Sequence, residues 1–179
     1  MFGAGHGKLL LLTARDGLAA TAGHDLTIEI SLWSAELELA NDGSATGLTV
    51  SADLNSLVVR AGTGGVKPLT DRDRREIAVT ARKVLRTDRH PTAVFTATKF
   101  EPGSDGGGTV TGTLDLAGAS GPVRLEVSKA GAAPGSYHAA GSVRQTDYGI
   151  KPYTAFFGAL KVSDVVRVAV DVTLPEEGP

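Results

Sequence analysis

His24-Asp25 offers a histidine beside a carboxylate, the raw material of acid–base chemistry. On a strand, neighbouring side chains face opposite ways, so the two would not hydrogen-bond readily. A structural or ligand-contacting His24 is the preferred reading. The four histidines, His6, His24, His90 and His138, show no HxH or HxxxH spacing and no adjacent acidic cluster, which excludes the usual zinc and iron sites. The absence of cysteine excludes thiol nucleophiles, disulfides, iron–sulfur clusters and Cys-ligated zinc. No Gly-x-Ser-x-Gly elbow marks a serine hydrolase. Gly62-Thr63-Gly64-Gly65 lacks the Lys-Ser/Thr of a phosphate-binding loop and no parallel βαβ unit surrounds it, so nucleotide binding is rejected. A basic block, Arg72, Arg74, Arg75, Arg82, Lys83, Arg86 and Arg89, is interleaved with Asp71, Asp73, Glu76 and Asp88. Without an aromatic platform it reads as a solvated face, and the net charge of -2 gives no field favouring nucleic acid. The aromatic cluster Tyr148, Tyr153, Phe156 and Phe157 has two readings, a plug closing one end of a barrel or a set of ligand contacts.

These residues hang on a chain dominated by alternation of period two. Lys8–Ala14 reads as a first buried strand. Leu26, Ile28, Ile30 and Leu32 share one face, and the apolar phase then slips by one at Trp33 to continue through Ala35, Leu37 and Leu39. A slip of one residue turns the faces over, so a bulge or sharp bend is expected near Leu32-Trp33. Asn41-Asp42-Gly43 signals a hairpin into a strand bearing Leu48, Val50, Ala52 and Leu54. Between 70 and 90 the alternation stops. Thr70 as N-cap, Asp71 and Asp73 in the first turn, and a stripe of Ile77, Ala81 and Val84 predict one or two short helices, ended by His90-Pro91. Strands resume through Thr92–Phe100, Val110–Leu116, Val123–Val127, Tyr137–Gln145 and Val166–Leu174, separated by glycine turns at 105–108, 118–122 and 131–135. Asp147–Phe157 reads as a loop or short helix, and the tail Pro175–Pro179 as frayed.

Roughly eight to ten antiparallel strands with short turns are the pattern of an all-β barrel or sandwich, and a closed barrel is favoured because it leaves no open edges. The 179 residues fit a single domain, 1–179, with its core over 8–174. The composition is short of large side chains for a filled core: 23 Gly stand against 9 aromatics (1 Trp, 3 Tyr and 5 Phe). In a barrel, such an inventory leaves a tube for a ligand. Ile28, Ile30, Val50, Phe95, Leu114 and Val143 are the candidates for its wall. The apolar run Leu9–Leu12 is too short for a secretory segment or a membrane span, so the expectation is a soluble, cytoplasmic protein.

Several ordered motifs carry a resemblance. Gly112–Val123, GTLDLAGASGPV, resembles the G-x-L-T-[IL]-x-G-x-x-x-P-V signature of the YceI-like family, and Gln145-Thr146-Asp147-Tyr148-Gly149-Ile150 resembles its R-[ST]-D-F-G-[IL]. His24-Asp25-Leu26 sits where the family has an early histidine, and Leu85 through Phe95 follows its post-helical F-x-x-x-x-[YH]-P-x-[IA]-x-F pattern. The resemblance runs over Lys8–Leu174. It implies a lipocalin-like antiparallel barrel with an elongated apolar pore, in a family whose characterised members bind polyisoprenoid chains such as prenyl quinones or prenyl phosphates. Two departures stand out. The family arginine is Gln145 here, and the adjacent Arg144 points to the opposite face on alternation, which favours a neutral quinone or other apolar ligand over an anionic phosphate. The segment after His24 also lacks the later glycine of the family pattern.

The expected function is binding, transport or sequestration of a long apolar molecule, without catalysis and without a cofactor beyond a bound isoprenoid lipid or quinone. His24, Gln145, Tyr148, Tyr153, Phe156 and Phe157 join the wall residues as candidate ligand contacts. Rival expectations are an enzyme acting on a hydrophobic substrate in the same pocket, and an assembly module that binds nothing. The expected partner is a hydrophobic small molecule, with no nucleic acid and no transmembrane segment; a homodimer is left open.

Overall fold

The computed structural model describes residues 1–104, 106–131 and 134–174. Asp105 and residues 132–133, within two of the expected glycine turns, and the tail Pro175–Pro179 lie outside the described residues. The strands are β1 (Phe2–Gly3), β2 (Gly7–Leu12), β3 (Arg15–Asp16), β4 (Asp25–Ile30), β5 (Trp33–Leu39), β6 (Ala45–Asp53) and β7 (Leu57–Thr63). After the helix α1 (Asp71–Leu85) come β8 (Thr92–Pro102), β9 (Gly108–Leu116), β10 (Ala119–Lys129), β11 (Ser136–Arg144), β12 (Thr154–Ala155), β13 (Leu160–Val162) and β14 (Val165–Thr173). Eleven of them form one antiparallel sheet in the order β1-β5-β6-β8-β9-β10-β11-β14-β2-β4-β7. The remaining three, β12-β13-β3, form a small second sheet. The large sheet curls into the lipocalin-like antiparallel barrel. Alternation revealed its long strands; the extra strands over the expected number are the two- and three-residue pairings β1, β3, β12 and β13, too short to show a period.

The phase slip marks the corner that closes the barrel. β4 and β5 are two halves of one bent strand, and β6 and β7 two halves of its hairpin partner. One half, β5/β6, joins the sheet beside β8, and the other, β4/β7, joins it beside β2. At the bend, Ser31 Oγ donates to the Ser56 carbonyl at 2.8 Å, the Leu32 amide donates to Ser56 Oγ at 2.9 Å, and the Asp53 amide donates to the Leu32 carbonyl at 3.0 Å. Ile28 and Ile30 are buried on one side of the bend and Trp33 and Ala35 on the other. Leu32, expected on the face of Ile28 and Ile30, is instead exposed, because the chain turns at Ser31-Leu32 before another inward position is reached.

A single helix occupies the 70–90 segment. Thr70 caps it through a reciprocal box: the Asp73 amide donates to Thr70 Oγ1 and the Thr70 amide donates to Asp73 Oδ2, satisfying two otherwise orphaned donors. The helix stops at Arg86, which takes the left-handed conformation (φ 56°), ahead of the expected stop at His90-Pro91. Of the basic block, Arg72 pairs with Glu76 on the solvated face at 2.8 Å. Arg86 is a correction: rather than facing solvent, it turns inward and donates to the carbonyls of Ala117 and Tyr148. α1 packs on β7, with Ile77, Ala81 and Leu85 against a core of Leu9, Ile28, Ile30, Leu54 and Leu57. A second core cluster gathers Phe95, Val110, Val123, Val143, Tyr148 and Ile150. Among the described residues, no helix is long and apolar enough to cross a membrane.

Candidate functional site

Between the curled sheet and α1 lies a cavity of about 800 Å³, toward the upper end of the range for small-molecule sites. Its wall follows from pleating. On β14, Val166, Val168 and Val170 point inward while Arg167 and Asp171 alternate with them. On β2 the inward residues are Leu9 and Leu11, so the expectation of a wholly buried first strand is corrected: Lys8 is exposed, and Leu10 and Leu12 fall on the other face. Across the hairpin Ile28, Ile30, Val50 and Ala52 line the same space, and Phe95, Leu114, Val123, Leu125 and Val143 continue it round the barrel. The helix contributes Ile77, Ala81, Val84 and Leu85.

Of the candidate contacts, the structure brings nine to this cavity: His24, Ile28, Ile30, Val50, Phe95, Leu114, Val143, Gln145 and Tyr153. Three are placed elsewhere. Tyr148 is buried in the second core cluster, its phenol oxygen so near Gly121 that a Cβ there would sit 2.9 Å away. Phe156 and Phe157 point out to solvent, because both backbones adopt left-handed conformations (φ 50° and 54°) on the turn before β13. The aromatic segment therefore does not act as one cluster: Tyr148 packs inside, Tyr153 stands at the rim, and the two phenylalanines project from the surface.

The polar groups gather at one rim, where the loops before β4, after β7 and around β13 meet. His24 Nε2 lies 2.8 Å from the Lys67 carbonyl, to which it donates as the Nε2–H tautomer. Its ring lies against Gly65 (φ 72°), where an added Cβ would come within 2.4 Å of Nε2, so a side chain there would be strained and would displace the His24 ring. Asp25 is committed to Arg15: its Oδ1 accepts from the Arg15 amide at 2.8 Å and lies 3.8 Å from Nε. Arg15 Nη1 also donates to the Gly23 carbonyl at 2.9 Å. His24 and Asp25 thus serve separate partners. Buried Gln145 donates from Nε2 to the Ser163 carbonyl at 2.9 Å. Arg144 points outward to Asp164 at 3.5 Å. Thr146 donates to Asp164 through its hydroxyl (2.6 Å) and amide (2.9 Å), and these bonds hold that carboxyl below the usual range. Burial pushes the Tyr148 phenol up, with Asp147 and Asp115 adding to the effect.

Sequence reasoning did not assign to the wall the α1 stripe, the β14 valines or Leu9 and Leu11, although their alternation and helical spacing were the available signal. The rim residues Arg15, Lys67 and Lys161 carried no local signal, since only the fold brings 15, 67 and 161 to one opening. Among the described residues, no group of histidines and carboxylates is arranged to hold a metal.

Comparison with known proteins agrees with this architecture. The model of the YceI-like domain matches residues 13–174. BcnA of Burkholderia cenocepacia superposes with a TM-score of 0.68 at 14% identity, over 94% of this chain and 96% of that one. The YCEI protein of Campylobacter jejuni gives a TM-score of 0.63 at 19% identity, over 84% and 85% of the two chains. A polyisoprenoid binding domain from Saccharophagus degradans gives 0.53 at 15% identity, over 94% of each chain. Among curated proteins, none matches the sequence. These likenesses show a shared barrel, and the family match spans everything from the strand end at Thr13 to the last strand: the chain belongs to the YceI-like family.

Proposed function

We propose that this protein is a carrier that encloses a long apolar molecule, an isoprenoid lipid or prenyl quinone, inside its barrel. The observation that supports this best is the cavity of about 800 Å³ with aliphatic walls on strands and helix alike. Each methylene placed there contributes about 0.8 kcal/mol through lost contact with water, so a flexible hydrocarbon chain gains along its whole length. The likeness to a polyisoprenoid binding domain points the same way. A neutral headgroup suits the rim. Where the family signature has arginine this chain buries Gln145, Arg144 is turned out to Asp164, and Arg15 is occupied by Gly23 and Asp25. A carrier suits the site better than an enzyme because His24 and Asp25 are held by separate partners and form no acid–base pair.

Native mass spectrometry of freshly purified protein, followed by solvent extraction, tests the reading. A stoichiometric hydrophobic adduct is expected, retained after His24→Ala. A bare chain that also takes up no prenyl quinone on detergent exchange would overturn it.

A further inference from the structure

We propose that the rim of the cavity is a membrane-docking tip, which dips into the surface of a bilayer containing anionic lipids so that cargo passes between acyl chains and barrel. This rests on the carrier reading and adds the surface from which the cargo comes.

Phe157 and Leu18 are fully exposed, Val66 is largely so, and about two thirds of Phe156 is open to solvent. Isolated apolar residues on a surface need no explanation, but these four share one end of the molecule. The Ala19 amide donates to the Ala159 carbonyl at 2.8 Å, which ties the Leu18 loop to the turn bearing Phe156 and Phe157. β13, directly after that turn, pairs with β3, directly before Leu18, and Leu160–Val162 line the cavity. Val66 lines the same opening from the loop after β7. The exposed side chains therefore surround the entrance.

The conformation of the tip sharpens the inference. A left-handed backbone costs roughly 1–2 kcal/mol for a residue with a side chain, and Phe156 and Phe157 adopt it in succession. Neither ring is packed in the core, so burial on folding recovers little from Phe156 and nothing from Phe157. Strain of this kind belongs with a functional constraint, and insertion of two rings among acyl chains supplies one.

Charge selects the surface. Lys67 and Lys161 are exposed at the entrance and have no ion-pair partner among the described residues. Of the carboxylates around them, Asp25 and Glu76 are neutralised by arginine, while Asp73 and Asp16 accept neutral hydrogen bonds and keep their charge. Asp25 is held by Arg15, Asp73 by Thr70, Glu76 by Arg72, and Asp16, across the ladder from Lys161, accepts from the Gly17 amide at 2.6 Å. Apolar side chains at the centre with unpaired lysines beside them match the interfacial zone of an anionic bilayer, where lysine stems lie along hydrocarbon and their heads meet phosphate.

The test uses the full chain carrying Phe157→Trp, with Trp33 as a constant background because it is buried edge-on to Phe2. With vesicles of phosphatidylcholine and phosphatidylglycerol, the new emission should shift to the blue and be quenched by lipids brominated along the acyl chain. Vesicles of phosphatidylcholine alone should bind less. Phe156→Ser with Phe157→Ser should lower the vesicle-bound fraction by about tenfold. Both rings are exposed, so this variant keeps its fold and its cargo in native mass spectrometry. Absence of quenching, or vesicle binding that survives the double substitution, would overturn the proposal. So would a dimer that the double substitution converts to monomer with unchanged vesicle binding, which would make the tip a contact between copies. A wild-type chain that retains cargo yet ignores vesicles would overturn docking alone, whereas an empty chain that binds vesicles would overturn the carrier reading alone.

Discussion

Arg86 and Ala117 both stand in left-handed backbone, φ 56° and 52°, and are bound to each other: Arg86 Nη2 donates to the Ala117 carbonyl at 2.8 Å. The same nitrogen reaches the Tyr148 carbonyl at 3.3 Å. One guanidinium thus joins the end of α1, the β9–β10 turn and the buried aromatic turn. Arg86→Met keeps the stem and removes both bonds. A loss of about 1–2 kcal/mol is expected in urea unfolding, below the full value for charged donors because Nε, buried and unpartnered, is removed as well. Ala117→Gly relieves the backbone but also removes a methyl buried in the second core cluster, so the two effects of about 1 kcal/mol each should nearly cancel in urea unfolding.

Phe157→Gly separates the tip from the fold. The ring touches no core, and glycine accepts φ 54° without cost, so thermal unfolding should show equal or higher stability, by up to about 1 kcal/mol. A drop of several degrees would mean that the ring supports the native state.

Leu114→Trp tests the cavity from within. Leu114 faces the cavity from β9, and an indole there occupies space that a filled core would lack. In a packed interior such enlargement costs about 1–3 kcal/mol. Here the melting temperature should hold, and the hydrophobic adduct expected for the wild-type chain in native mass spectrometry should fall.

Tyr148 gives a pH signature. Burial raises its ionisation above the ordinary value of 10.0, because the phenolate is the disfavoured form in the core. The stabilisation is present in full below the unfolded value and is lost as pH rises through the higher folded value. Spectrophotometric titration should show one tyrosine ionising late, together with alkaline loss of structure, and Tyr148→Phe should abolish the late step while leaving cavity occupancy unchanged.

Much of this was legible where one face of a strand meets water and the other does not. Ile28, Ile30, Val50, Leu114 and Val143 declared themselves by alternation, and the slip at Trp33 declared the bend. Thr70 and the acids after it marked the start of α1 through local capping chemistry. The end of α1 was less legible. His90-Pro91 is a visible stop, but Arg86 stops the helix earlier by a left-handed turn held by carbonyls that come from the β9–β10 turn and the turn before Gly149. Tyr148, Tyr153, Phe156 and Phe157 look alike in sequence because aromatic type reports a need for contact and not its direction. Their fates differ through the backbone conformation at 156–157 and the space above Gly121.

The seam between β2 and β14 has a consequence for synthesis. Leu9 pairs with Val170 and Leu11 with Val168, so one side of the cavity is made by joining the first long strand to the last. Closing a loop of that length is costly in chain entropy and slow relative to hairpin formation. On a ribosome, β4 and α1 are available to Leu9, Ile28 and Ile30 early, but the other edge of β2 stays unpaired until β14 emerges. Under the proposed carrier function, cargo is taken up only once this seam is sealed, and until then the unsealed edge is the chain's period of greatest exposure to aggregation.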